Sequence, residues 1–111
     1  MRNRAINALI EMGMSASLKG FYYIADVMEL YHERKNDYMN MTATYNQIAE
    51  KYGITWHCVE KSIRNAFNTL IKRGNRTAIE KYLSYDNTTN KNLLRLFHGT
   101  GSGGIKLCES F

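Results

Sequence analysis

The chain has 111 residues, 44% of them hydrophobic and 23% charged, proportions that suit one globular core and are too few for two. No apolar run approaches the roughly 20 residues that span a bilayer, so the expectation is a soluble, cytoplasmic protein with no membrane partner. Two cysteines, Cys58 and Cys108, and three histidines, His32, His57 and His98, fall in no metal-ligand spacing, so no metal, cofactor or disulfide framework is expected.

The absence of proline and the lack of strand-type alternation favour an all-α fold. Ile6, Leu9 and Ile10 recur at helical spacing over residues 3–12, and Gly13 stands where that helix should stop. A second helix starts at Ser15 or Ser17 and runs to about Glu33, with Leu18, Phe21, Tyr22, Ala25, Met28 and Tyr31 inward. Asp26, Glu29 and Glu33 share its other flank. With no His or Cys converging on them, they read as a solvated face rather than a site. Residues 34–43 are polar and read as a loop, with Tyr38, Met39 and Met41 as anchors onto the core.

Residues 44–75 carry the clearest signal, two short helices joined by a tight turn. Thr44 and Gln47 have the spacing of a capping box, and Ile48, Ala49 and Tyr52 then share one face. Ala49 falls where the two helices cross closely. Gly53 suits a turn that needs positive φ, Ile54 plugs the space beneath it, and Thr55 is the cap for a helix from Trp56. Val59, Ile63, Ala66, Phe67 and Leu70 commit one stripe of that helix to the core. His57, Lys61, Arg64, Asn65 and Asn68 lie on the opposite stripe, free to meet a partner. The pattern is that of a helix-turn-helix.

Charge follows the same division. Residues 1–55 hold six basic and six acidic side chains, residues 56–76 hold five and one, and residues 77–111 hold four and three. Most of the net +5 therefore sits on the second helix and the turn after it, where it suits a polyanion.

Gly74 and Asn75 end the long helix, and Thr77 with Glu80 repeats the capping-box spacing ahead of a short helix that buries Ile79, Tyr82 and Leu83. Residues 84–90 form a loop by composition. Residues 90–98 form a last helix whose Leu93, Leu94, Leu96 and Phe97 exceed what one core face requires, which suggests a second contact with another protomer. Gly99, Gly101 and Gly104 have the order of a dinucleotide fingerprint but lack the strand before and the helix after it. Residues 1–98 are thus read as the domain and residues 99–111 as a flexible Gly-rich tail.

Several blocks carry a resemblance: Ile6, Ile10, Gly13, the run Leu18-Lys19-Gly20-Phe21, the run from Ile48 to Tyr52, Thr55, the string from Val59 to Ala66, and Arg73-Gly74-Asn75. In these blocks and their spacing, residues 5–98 resemble the C-terminal DNA-binding effector domain of the sporulation response regulators of the stage zero sporulation protein A family. The resemblance implies a six-helix bundle that binds promoter DNA, often as head-to-tail copies on tandem sites. It also implies a receiver domain or RNA polymerase as further partners. The family's base-reading acidic and basic positions match Glu60, Lys61 and Arg64. The chain departs from the family pattern where Lys61 replaces an arginine, at Cys58 and Asn65, which replace a basic residue and a histidine, and at the turn pair Gly53-Ile54.

The sequence therefore predicts a non-enzymatic, sequence-specific regulator of transcription that binds double-stranded DNA and associates with the nucleoid, reading the major groove with helix 56–73. Trp56, His57, Glu60, Lys61, Arg64, Asn65 and Asn68 are the candidates nearest base edges or flanking phosphates, and Lys72, Arg73 and Arg76 the candidates for backbone contact. Trp56 either packs over the turn or touches a thymine methyl or sugar. The rival reading is a protein-interaction module in which the helix-turn-helix is only a scaffold.

Overall fold

The computed structural model describes residues 2–33, 41–83 and 89–99, with backbone only at Lys91, Asn92, His98 and Gly99. These residues form six helices: α1 (Arg2–Met12), α2 (Lys19–Glu33), α3 (Met41–Tyr52), α4 (Trp56–Arg73), α5 (Arg76–Tyr82) and α6 (Asn90–Gly99). No strand occurs among the described residues, so the all-α six-helix expectation holds. The expected anchors Tyr38 and Met39, the loop 84–88 and the tail beyond Gly99 lie outside the described residues.

The bundle is built around α2, which packs against α1, α3, α4 and α6. Its sequence allows this because apolar or small side chains occur on nearly every side: Gly20, Phe21, Tyr23, Ile24, Ala25, Val27, Met28 and Tyr31 are all buried. A helix buried all round belongs in the centre of a bundle. Leu18 is half-buried, and Tyr22, expected inward, is 41% exposed, with the Arg2 guanidinium over its ring.

The inward face of α1 is Ala5, Ala8, Leu9 and Met12. It is rotated from the expected stripe, leaving Ile6 half-buried and Ile10 57% exposed. Two of these four inward residues are alanines, whose small side chains let neighbouring helices approach closely, and close packing along the whole face outweighs the burial of one larger isoleucine. The expected stop at Gly13 is present (φ +98°): Gly13 N–H donates to Ile10 O and Met14 N–H to Leu9 O. That pairing satisfies two end carbonyls, and it turns Met14 back into the core.

Asp26 overturns its reading as part of a solvated face. Its side chain is 7% exposed and receives Arg2 Nε at 2.8 Å and Lys51 Nζ at 3.2 Å, with the Tyr52 hydroxyl as a third donor. Burial raises its pKa, but the hydrogen bonds from Tyr52, Arg2 and Lys51 more than offset this and hold the carboxyl below the ordinary aspartate value. Burial and the Asp26 charge in turn push Tyr52 up to about 12. Three donors from α1 and α3 thus converge on one carboxylate of α2, and Glu29 adds an acceptor for the Arg2 backbone amide. Glu33 is exposed, as expected.

This cluster predicts acid sensitivity. A folded-state pKa below the unfolded one contributes stability above the unfolded pKa, near 4, that is lost as pH falls through the folded value. Asp26→Asn should cost about 1–3 kcal/mol at pH 7 and should flatten the loss of stability below about pH 4. Urea unfolding of both chains at neutral pH and at about pH 3 measures this, and equal acid losses would remove Asp26 as the cause.

Three expected helix starts shift. Thr44 does not cap α3: it is 1% exposed and lies inside a helix that begins at Met41. Met41 packs against the core and its sulfur accepts the Tyr31 hydroxyl, so a tertiary contact lengthens the helix past the local capping signal. The Thr77 and Glu80 box is likewise displaced. Asn75 caps α5, accepting Ala78 N–H at 3.3 Å, while its own N–H donates to Met12 O at 2.8 Å. Asparagine caps at least as well as threonine, and the tie to α1 fixes where the chain turns. Glu80 pairs with Arg76 one turn back. The start of α2 moves to Lys19, with a short turn over residues 16–18 before it.

In α5, Ala78 and Ile79 are buried, Leu83 is buried just beyond, and Tyr82 is half-buried with its hydroxyl on Glu11. In α6, Leu93, Leu94 and Phe97 are all buried and Leu96 is half-buried. The apolar excess read as a second contact is therefore mostly core, because α6 packs against both α2 and α4.

Candidate nucleic-acid interface

The turn between α3 and α4 sets the geometry. Gly53 N–H donates to Glu50 O and Ile54 N–H to Ala49 O, with Gly53 at φ +69°. A Cβ at Gly53 would meet nothing within 4 Å, so the requirement there is the backbone conformation alone, which side chains other than glycine adopt at a cost. Ile54 packs partly into the core, and Ala49 is buried, as its spacing predicted. Tyr52 differs from its expected place on the buried face. It is 38% exposed, its ring lies 5.0 Å from Tyr23, and its hydroxyl reaches Asp26.

Thr55 occupies the N-cap position of α4 in an extended conformation (φ −90°, ψ 156°), and its carbonyl accepts Cys58 and Val59 N–H. Its hydroxyl does not cap the helix. It donates instead to Cys58 Sγ at 3.4 Å.

Two faces of α4 are cleanly separated. Val59, Ile63, Ala66, Phe67 and Leu70 are all buried. His57, Lys61, Arg64, Asn65, Asn68 and Lys72 are exposed, and at about 100° per residue they fall on the opposite side of the helix. Arg73 and Arg76 are exposed at its far end. Trp56, at the start of the helix, is half-buried against the core, with its ring stacked on that of His57 at 3.9 Å between centroids. Trp56 is thus packed in part against the core, and the rest of its ring remains accessible.

The electrostatics of this face are one-sided. Glu60, the acidic residue of the segment, is half-buried and ion-paired with Arg64 one turn on. Among the described residues Lys61, Lys72 and Arg73 have no ion-pair partner. An exposed pair such as Glu60 with Arg64 is worth only about 0–1 kcal/mol, so it orients the guanidinium without tying it down.

One contributor was not legible in the sequence. Asn90, at the start of α6, donates to the Glu60 carbonyl at 3.0 Å and to the Tyr45 hydroxyl at 3.4 Å. It therefore fixes the backbone of α4 beside Arg64, although an asparagine at a helix start carries no such signal. Among the described residues, no group of three or more His, Cys, Asp or Glu is placed to hold a metal ion. No described helix is long and apolar enough to cross a membrane.

The arrangement is a helix with an apolar back and a basic and amide-rich front, packed against α2, α3 and α6. No curated protein matches the chain. Residues 5–97 match the family described as sporulation initiation factor Spo0A C terminal, a span that runs from the buried Ala5 of α1 to the buried Phe97 of α6. The chain belongs to the family of C-terminal, DNA-binding effector domains of the sporulation regulator Spo0A.

Proposed function

We propose that this chain is a sequence-specific, double-stranded DNA-binding regulator of transcription whose helix α4 enters the major groove, acting in the cytoplasm at the nucleoid. The observation that carries the reading is the exposed stripe of His57, Lys61, Arg64, Asn65 and Asn68 opposite a fully buried one. A helix supported along its whole apolar back can present such a stripe to base edges without paying to order it at binding. In this reading α3, the turn at Gly53 and α4 act as a helix-turn-helix. Arg64 and Lys61 donate to purine acceptors, Asn65 and Asn68 pair with adenine edges, and Glu60 accepts from cytosine. Lys72, Arg73 and Arg76 hold phosphates, Trp56 and His57 flank the site, and none of these residues has a catalytic role. Head-to-tail association on tandem sites, a receiver domain and RNA polymerase as partners rest on the family resemblance, since the apolar residues of α6 are largely engaged in the core.

Selection from random duplex DNA with the purified chain tests the proposal and supplies the preferred site. On that site Arg64→Ala should cost about 1–3 kcal/mol and relax preference at one position. A uniform loss across sequences would move Arg64 to the phosphate-contacting group. Enrichment of no sequence, with tight binding to a protein partner instead, would favour the scaffold reading.

A further inference from the structure

The exposed stripe of α4 is bordered on both sides by other helices. On one side stand Asn90 and Tyr45, hydrogen-bonded to each other and through Asn90 to the Glu60 carbonyl. On the other side the first turn of α2 lies directly against α4. A Cβ built on Gly20 would stand 2.3 Å from the Ser62 carbonyl oxygen and 2.7 Å from the Ala66 Cβ. This approach brings Lys19 beside Asn65: the two residues, with Leu18, Gly20, Ser62 and Ala66, line one open depression of about 200 Å³. Asn65 thus belongs both to the proposed DNA-facing stripe and to the seam with α2. Lys19 is exposed and, among the described residues, has no ion-pair partner.

The depression is smaller and more open than sites that enclose small molecules, which run to roughly 300–1,000 Å³. What passes beside it is set by the groove. A helix with its side chains is about 10–12 Å across, and the major groove is about 12 Å wide, so a helix seated there has a phosphate strand along each flank. A cation on an element packed against the flank of α4 then meets phosphate rather than base edges. The lysine ammonium, a compact charge on a flexible stem, suits a single phosphate oxygen and needs no fixed fork.

We propose that Lys19 contacts a backbone phosphate of the bound duplex, extending the interface from α4 onto the start of α2. The inference rests on the reading that α4 occupies the major groove. It is tested by measuring affinity against salt concentration for the full chain and for Lys19→Ala, on the selected duplex and on an unrelated one. Each phosphate contact contributes about 0.9 to the slope of log affinity against log salt. Between about 50 and 200 mM salt the wild-type chain should therefore lose roughly three- to four-fold more affinity than the variant, on both duplexes alike. Lys19→Arg should keep the wild-type slope, and Lys19→Gln, which retains most of the stem, should behave as Lys19→Ala does. Identical slopes and affinities for wild type and Lys19→Ala would overturn the contact while leaving the role of α4 standing. No salt-dependent duplex binding by the wild-type chain would overturn both.

Discussion

Gly20→Ala is expected to destabilise the domain by about 3 kcal/mol, lowering the melting temperature by roughly 10–20 °C. Two effects oppose each other here. Alanine is the better helix former by about 1 kcal/mol, and Gly20 lies in the first turn of α2. Against this, the new Cβ would meet the Ser62 carbonyl oxygen at 2.3 Å and the Ser62 carbonyl carbon at 2.9 Å. Both obstacles are backbone atoms of a helix packed along α2, so neither can swing aside as a flexible side chain would. Relief requires the axes of α2 and α4 to separate, which loosens Phe21, Ile63 and Ala66 together, all of them buried. Overpacking therefore wins over propensity. Thermal melts of the two chains measure the outcome, and a variant as stable as the parent would mean that α2 and α4 part at little cost.

Phe97→Ala is expected to cost about 3–5 kcal/mol, the range for removing a fully buried aromatic ring. Phe97 is 1% exposed, and its ring meets the edge of Tyr82 at 5.8 Å between centroids. The loss decides between two roles for α6. If its leucines and phenylalanine fill the space between α2 and α4, truncation acts on the stability of the single chain and does not depend on protein concentration. If they instead cover a neighbouring copy, truncation leaves the isolated domain as stable as before and weakens only cooperative binding to paired sites. Urea unfolding at two protein concentrations separates these results. The first is expected from the burial of Leu93, Leu94 and Phe97.

How much of this was legible in the sequence differs from element to element. The division of α4 into a buried stripe and an exposed one follows from spacing within 18 contiguous residues, and the structure reproduces both stripes. Periodicity of this kind is local, so a single sequence carries it in full. The stops at Gly13 and Gly53 are local in the same sense, because each depends on one residue adopting positive φ. Capping signals were less dependable. Thr44 and Thr77 both have the right neighbours three residues on, yet the helices begin elsewhere because Met41 packs onto the core and the Asn75 amide is held by Met12. A cap is worth about 1 kcal/mol, which tertiary packing readily exceeds.

By itself the sequence determined the six helices found among the described residues, where two of them must stop, which face of α4 is apolar and where the positive charge collects. Each of these depends on residues within a few turns of one another. Only the tertiary structure decided that Gly20 meets Ser62 and Ala66 where α2 and α4 approach, why Asp26 is buried and what the apolar side chains of α6 are for. Asp26 is neutralised by Arg2 and Lys51, 24 and 25 residues away, and Glu60 is anchored by Asn90, 30 residues away. Spacing along a helix tells which residues share a face, but what stands opposite that face is set by how the remaining helices pack.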